Sequence, residues 1–290
     1  MSLFRSWMFV PGNSERRLAK VDDLTADVII FDLEDAVPLS EKQNARQLVC
    51  QTIRNSRAAC SFVRVNDLAS GFFADDIADL AGVLLAGIVL PKANSRQDIL
   101  TADQALAEAE SKSGRQLGDI EIVPLIESAL GLYQAFEIAA SSPRVKRLAF
   151  GSVDFTLDIQ AQLTHEGTEI LYARSHLVVV SRAAGIEPPI DAVFVQMKDR
   201  EGLLRDTKLA KQLGFQGKMV IHPDQIGIVN DVFTPTQEEI EEAKRIVSAF
   251  DEALLEGSAA IQLDGKMIDY PVAERAKRIV RQAEFLQRNN

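Results

Sequence analysis

The sequence predicts a closed (β/α)8 barrel with a short C-terminal extension, an α/β fold read from three observations. Short apolar or β-branched runs recur along the whole chain, each too brief for a buried helix. Each is followed by an amphipathic or Ala/Leu-rich stretch, the alternation that parallel strands with crossover helices produce. Such units recur eight times, and eight units over about 250 residues fit one barrel better than an open doubly wound sheet, which more often stops at five or six strands.

In order, the strand candidates are Trp7 to Val10, Val28 to Phe31, Ser61 to Val65, Gly87 to Leu90, Glu121 to Ile126, Arg147 to Phe150, Ala192 to Val195 and Lys218 to Ile221. Helices are expected at 14–25, 40–56, 72–85, 96–112, 128–141, 170–184, 201–213 and 235–256. Ser40 with Gln43 has capping-box spacing, and Ser95 ahead of Arg96 is a second start signal. No Gly/Pro/Ser-rich linker divides the chain, so residues 1–256 read as one catalytic barrel. Residues 257–290 read as an appendage: a loop, DGKMIDYP, then a charged helix from Val272.

Composition excludes several classes. The chain is 290 residues long, 47% hydrophobic and 26% charged, with a net charge of -10 and acids and bases interleaved. No basic run or aromatic-basic alternation suited to a phosphate backbone is present, so nucleic acid is not an expected partner. The start, MSLFRSWMFVPG, has too short an apolar stretch for a signal peptide or a spanning helix. A cytoplasmic protein with no membrane partner is expected. Cys50 and Cys60 have no second pair and no histidine cluster nearby, which suggests reduced packing residues rather than a disulfide framework or a zinc site.

In such a barrel the active site lies at the C-terminal face, so the residues just after each strand are the informative ones. Here they are Pro11-Gly12-Asn13, then Asp32 with Glu34 and Asp35, Arg64 and Asn66, Pro91-Lys92, Glu127, Asp154, Lys198-Asp199 and His222-Pro223. One carboxylate at a strand end is ordinarily just hydrated. Acids from strands two, five and six together with a base from strand three would converge on a small-molecule volume. Converging carboxylates repel unless a cation sits among them, and hard oxygen donors without a Cys or His cluster favour Mg2+ over zinc. This reasoning does not choose the ligands among Asp32, Glu34, Asp35, Glu127 and Asp154. Lys92 suggests a Schiff-base aldolase, although a strand-end lysine commonly pairs with acids.

The segments FVPGNSERRLAK, DVIIFDLEDAV, FVRVN, GIVLPKA, PLIESALG, FGSVDFTLDI, DREG, GFQGKMVIHPDQI and DGKMIDYP, in order and spacing, resemble the citrate lyase beta subunit-like family, which includes malyl-CoA and citramalyl-CoA lyases within the HpcH/HpaI aldolase superfamily. The resemblance spans essentially the entire chain. It implies a Mg2+-dependent enzyme that cleaves or forms a 3-hydroxyacyl-CoA, with acetyl-CoA and a 2-oxo acid on the other side of the reaction. Position by position, it implies Glu127 and Asp154 as metal ligands and Arg64 as the substrate-contacting cation. Glu34 and Asp35 match acids beside the metal that order its waters. Phe9, Arg17 and Lys20 match a region lining the CoA channel. Asp269 matches an aspartate contributed by a neighbouring subunit for proton transfer, within a homotrimer or hexamer in which the C-terminal extension packs on that neighbour. Two relatives of this activity stay open: a citryl-thioester lyase subunit acting inside a citrate lyase complex, and a CoA-independent 2-oxo acid aldolase. The aldolase would use a histidine near the first helices, and the chain has only His165, His176 and His222.

Overall fold

The computed structural model describes residues 4–56 and 60–289. Its contacts divide the chain into two compact units, Phe4–Asn230 and Asp231–Asn290.

The first unit is built around a closed barrel of eight parallel strands hydrogen-bonded in sequence order. They are β1 (Ser6–Pro11), β2 (Val28–Asp32), β3 (Ser61–Arg64), β4 (Gly87–Leu90), β5 (Glu121–Ile126), β6 (Ala149–Phe150), β7 (Ile190–Asp191) and β8 (Gly217–Val220). Closure comes from β1 pairing with both β2 and β8, with Trp7 opposite Val28 on one side and Met219 on the other. The helices in chain order are α1 (Glu15–Leu18), α2 (Lys42–Asn55), α3 (Phe73–Leu80), α4 (Arg96–Ser113), α5 (Ala129–Tyr133), α6 (Ala135–Ala139), α7 (Ser152–Asp158), α8 (Thr168–Ala183), α9 (Arg200–Leu213) and α10 (Pro223–Phe233), the last running across the division between units.

Every strand contributes to one buried cluster: Trp7, Val28, Ile30, Phe62, Val89, Val123, Leu125, Ala149, Ile190 and Met219. Side chains alternate faces along a strand, so the positions two residues beyond Ile30, Phe62 and Leu125, namely Asp32, Arg64 and Glu127, continue the same inward series at the C-terminal rim. The fold thereby carries an acid, a base and a second acid to one end of a dry core.

Several elements differ from the sequence reading. The seventh strand is Ile190–Asp191, not Ala192 to Val195. Asp191 looks too charged for a barrel wall, but it points its carboxylate at Arg174 (2.7 Å) and Lys218 (2.6 Å), and the partly exposed Asp206 completes the ion-pair quartet. Residues 192–195 instead leave the ladder, with the Phe194 carbonyl accepting from Gln225 Nε2 at 2.9 Å. The helix following β8 is α10, whose first residue is Pro223; proline's fixed φ and missing N–H suit that position. Helix α7 has no counterpart among the expected helices, and Asp154 lies in its first turn rather than on a strand. The expected helix at 14–25 shrinks to α1 and a 3-10 turn at Val21–Asp23, and the one at 128–141 divides into α5 and α6. The Ser95 capping box forms, with Asp98 as its third residue. Ser40 does not cap, because it falls inside a 3-10 turn, Leu39–Glu41, ahead of α2.

The second unit contains α11 (Gln237–Leu255), an antiparallel pair β9 (Ile261–Leu263) and β10 (Lys266–Ile268), and α12 (Tyr270–Asn289). The Asp264-Gly265 turn takes φ values of 49° and 78°, the doubly left-handed geometry of a tight hairpin. Phe250, Ile268 and Ala273 form its buried centre, with Tyr270 edge-on to Phe250 at 5.2 Å. The boundary expected from the sequence falls after residue 256, whereas the contacts group α11 with the extension, because its apolar face is covered by α12 and the hairpin.

Candidate active site

The C-terminal end of the barrel holds a cavity of about 390 Å³, within the range of small-molecule sites. Its apolar floor is formed by Phe9, Leu125, Phe150, Val193, Met219 and Ile221, and its polar rim includes Asp32, Asp35, Arg64, Glu127, Ser152 and Asp154.

Arg64 is the fixed cation of this rim. Asp32 takes its Nε and Nη2 at 2.8 and 2.6 Å, and Glu34 and Asp35 take Nη1 at 2.8 and 3.2 Å. The Phe9 ring lies under the guanidinium, 5.0 Å from centroid to Cζ. Burial alone would lower the Arg64 pKa, but Asp32, Glu34 and Asp35 outweigh it and hold the group charged. Planar, five-donor geometry lets one guanidinium serve all of these acceptors. Asp32, one of the five rim acids that the sequence offers, is therefore its main partner.

The loop carrying Glu34 and Asp35 is pinned from α2. The Lys42 ammonium, 5% exposed, donates to the carbonyls of Leu33 and Glu34 at 2.7 Å each. Glu34 is buried while Asp35 has a side chain 56% exposed. Burial raises the Glu34 pKa, Arg64 opposes that rise and Asp35 adds to it.

Glu127 is 5% exposed at the end of β5. Its Oε1 accepts the Lys92 backbone N–H at 2.7 Å, and its Oε2 lies beside Gly151, where an added Cβ would come within 2.7 Å. Burial pushes the carboxyl up to about 8; the Lys92 N–H opposes this, while the nearby Asp154 and Glu34 charges reinforce it. The charges of Asp154 and Glu34 thus act with burial against ionisation of Glu127. A divalent cation would relieve that cost, and Glu127 and Asp154, hard oxygen donors lining the same cavity, are residues that could hold one. Among the described residues, no three His, Cys, Asp or Glu side chains gather to hold a metal by themselves.

The remaining sequence candidates are distributed. Arg17 is exposed and lines the cavity with Phe9. Lys20 is exposed and does not line it. Lys92 is an ion-pair partner of Glu34 (3.1 Å) and Asp67 (3.5 Å), the arrangement expected of a strand-end lysine rather than of a free amine nucleophile. Asp199 caps α9 through the Gly202 N–H at 2.8 Å, and Lys198 is exposed. Asp269 belongs to the second unit, where its Oδ1 accepts the Val272 N–H at 3.2 Å in the first turn of α12.

Residues 5–223 match the family model described as HpcH/HpaI aldolase/citrate lyase. The chain belongs to this family. A second model, a carbon-carbon bond lyase of the TIM-barrel fold, matches residues 172–286, and this family member is a carbon-carbon lyase. It is similar to citrate lyase subunit beta of Haemophilus influenzae, 40% identical over 289 residues that cover 98% of each chain. It is also similar to the mitochondrial citramalyl-CoA lyase of Homo sapiens, 33% identical over 291 residues covering 95% of this chain and 84% of that one. Among solved structures, the CitE protein of Mycobacterium tuberculosis in complex with magnesium, acetoacetate and coenzyme A superposes with a TM-score of 0.81 at 28% identity, covering 98% of this chain and 99% of the other. In the described residues no helix is long and apolar enough to cross a membrane.

Proposed function

We propose that this lyase is Mg2+-dependent and acts on a 3-hydroxyacyl-CoA such as citramalyl-CoA or malyl-CoA, releasing or consuming acetyl-CoA and a 2-oxo acid. The observation that carries the reading is Glu127, a carboxylate buried at the mouth of a small-molecule cavity across from a guanidinium held charged by three acids. Relatives whose names and complexes include citramalyl-CoA, coenzyme A and magnesium support the same choice.

In the cleavage direction the substrate hydroxyl passes its proton to water at the carboxylate-lined rim as the C2–C3 bond breaks, which leaves a 2-oxo acid and the enolate of acetyl-CoA. One proton taken up at the enolate carbon restores the balance. Held by Glu127 and Asp154, the metal would supply Lewis acidity and a template for the hydroxyl and the neighbouring carboxylate. Arg64 adds a positive charge that no accessible pH removes, placed to stabilise the enolate oxygen or the oxo-acid carboxylate. Glu34 and Asp35 hold Arg64 in place and order water at the rim. Phe9 shields the guanidinium, and Arg17, with Lys20 beyond the cavity, is assigned to the CoA moiety. Asp269, contributed by a neighbouring subunit, is the proposed proton donor at the acetyl carbon, a role worth about 10²- to 10⁴-fold in rate. Self-association as a homotrimer or hexamer agrees with exposed apolar side chains on α5, α7 and α8: Tyr133 (88%), Leu157 (76%), Tyr172 (71%) and Val179 (65%).

A coupled assay of acetyl-CoA release tests this. Glu127→Ala and Asp154→Ala should each abolish metal-dependent cleavage with the circular dichroism spectrum unchanged; full turnover in either would remove that residue from the metal site. Asp269→Asn should lower turnover at unchanged metal affinity. The 40%-identical citrate lyase subunit beta favours a second reading, a citryl-thioester lyase working only inside a complex. Activity of the purified chain alone on a free CoA ester argues against it.

A further inference from the structure

Lys92 comes just after β4, separated from it by Pro91, and has φ 51°, one of few non-glycine residues with left-handed backbone among those described. That conformation costs roughly 1–2 kcal/mol for a residue with a Cβ, and glycine would adopt it freely. A lysine standing where glycine fits more cheaply indicates that backbone and side chain are both used. They engage different acids. The main-chain N–H, turned by the left-handed conformation, donates to Glu127 Oε1 at 2.7 Å. The ammonium, 48% exposed, sits 3.1 Å from Glu34 Oε1 and 3.5 Å from Asp67 Oδ2, while Arg64 holds the other Glu34 oxygen at 2.8 Å.

Glu34 is buried close enough to Glu127 for their charges to interact, yet both of its oxygens are committed to cations. A third acid drawn onto a metal at Glu127 and Asp154 would fill a position that the substrate or water needs, and Mg2+ in sites that bind substrate keeps such positions open. We propose that Lys92 is a positioning residue that sets the number of protein ligands: its N–H orients Glu127 while its ammonium, with Arg64, keeps Glu34 out of the coordination sphere. The proposal rests on the Mg2+-lyase reading above.

Lys92→Gly separates the two roles, because glycine keeps the N–H and the left-handed backbone but removes the ammonium. Titration of the substrate-free protein with Mn2+ by calorimetry should show affinity raised about threefold or more as Glu34 becomes free to ligate. Turnover should fall about tenfold or more in kcat, with thermal stability equal to or above wild type. Lys92→Arg should restore both wild-type affinity and kcat to within about threefold. Unchanged kcat in Lys92→Gly, or a Mn2+ affinity that is unchanged or lowered, overturns the proposal. A wild-type protein that binds Mn2+ but cleaves no CoA ester defeats the enzymatic reading instead, and the Mn2+ titration of the variants still reads the position of Glu34.

Discussion

Around Glu127 the chemistry depends on what its neighbours lack as much as on what they carry. Gly151 has no Cβ, and that absence makes room for Oε2. Gly151→Ala should displace the carboxylate while the β6–α7 junction still folds, and metal affinity should fall about 10- to 100-fold, as for other residues that orient a metal ligand. Calorimetric titration with Mn2+ measures this, and unchanged affinity would show that Oε2 takes no part. The sequence exposes these single residues unevenly. Asp32, Arg64 and Glu127 are legible because each continues an inward period-two series at a strand end. The roles of Lys92 and Gly151 are not, since they lie in a backbone N–H, a left-handed φ and an empty Cβ position that no residue-type pattern encodes. Residue reading also leaves five rim acids equivalent; motif resemblance selects Glu127 and Asp154 for the metal, and the structure adds that Asp32 is the main partner of Arg64.

At the scale of elements, strands and helices are joined by buried ion pairs as well as by apolar packing. Arg144, just before β6, holds Glu110 of α4 at 2.6 Å, and the same carboxylate accepts the N–H groups of Gly118 and Ile120 at 2.9 Å each, which ties α4 to the start of β5. Burial opposes ionisation of Glu110, but Arg144 and those two N–H groups prevail and hold its pKa at about 2, against 4.5 for an ordinary glutamate. The unfolded chain therefore takes up this proton first as pH falls. The stabilisation is complete above about pH 4.5 and is lost between there and pH 2. Glu110→Gln, which leaves Arg144 buried with less compensation, should cost about 3 kcal/mol at pH 7. Urea unfolding at pH 7 and at pH 3 checks both parts, and a difference between wild type and variant that grows on acidification would contradict the assignment. The quartet around Asp191 illustrates why β7 is hard to read. A carboxylate on a barrel wall is costly alone, and Arg174 and Lys218, which make it tolerable, are distant in sequence. The short helices α7 and α10 are missed for another reason: they follow strands immediately, within stretches that read as loops.

For the whole molecule, eight-fold alternation is enough to give the barrel and the end at which its site lies, because a closed sheet leaves no other place for strand-end polar groups to converge. The division of the chain is less legible. Helix α11 has the same amphipathic character as a barrel helix, and only its packing on α12 and the hairpin assigns it to the second unit. We propose that the chain uses a divalent metal at Glu127 and Asp154 to break a carbon-carbon bond in a CoA thioester. The most direct measurement is acetyl-CoA release from a panel of citramalyl-, malyl- and citryl-CoA, with Mg2+ and with excess chelator. Release from at least one ester with Mg2+, abolished by chelator and restored by adding Mg2+ back, is the expected result. Turnover that chelator leaves untouched, or none from any ester with Mg2+ present, would contradict the claim.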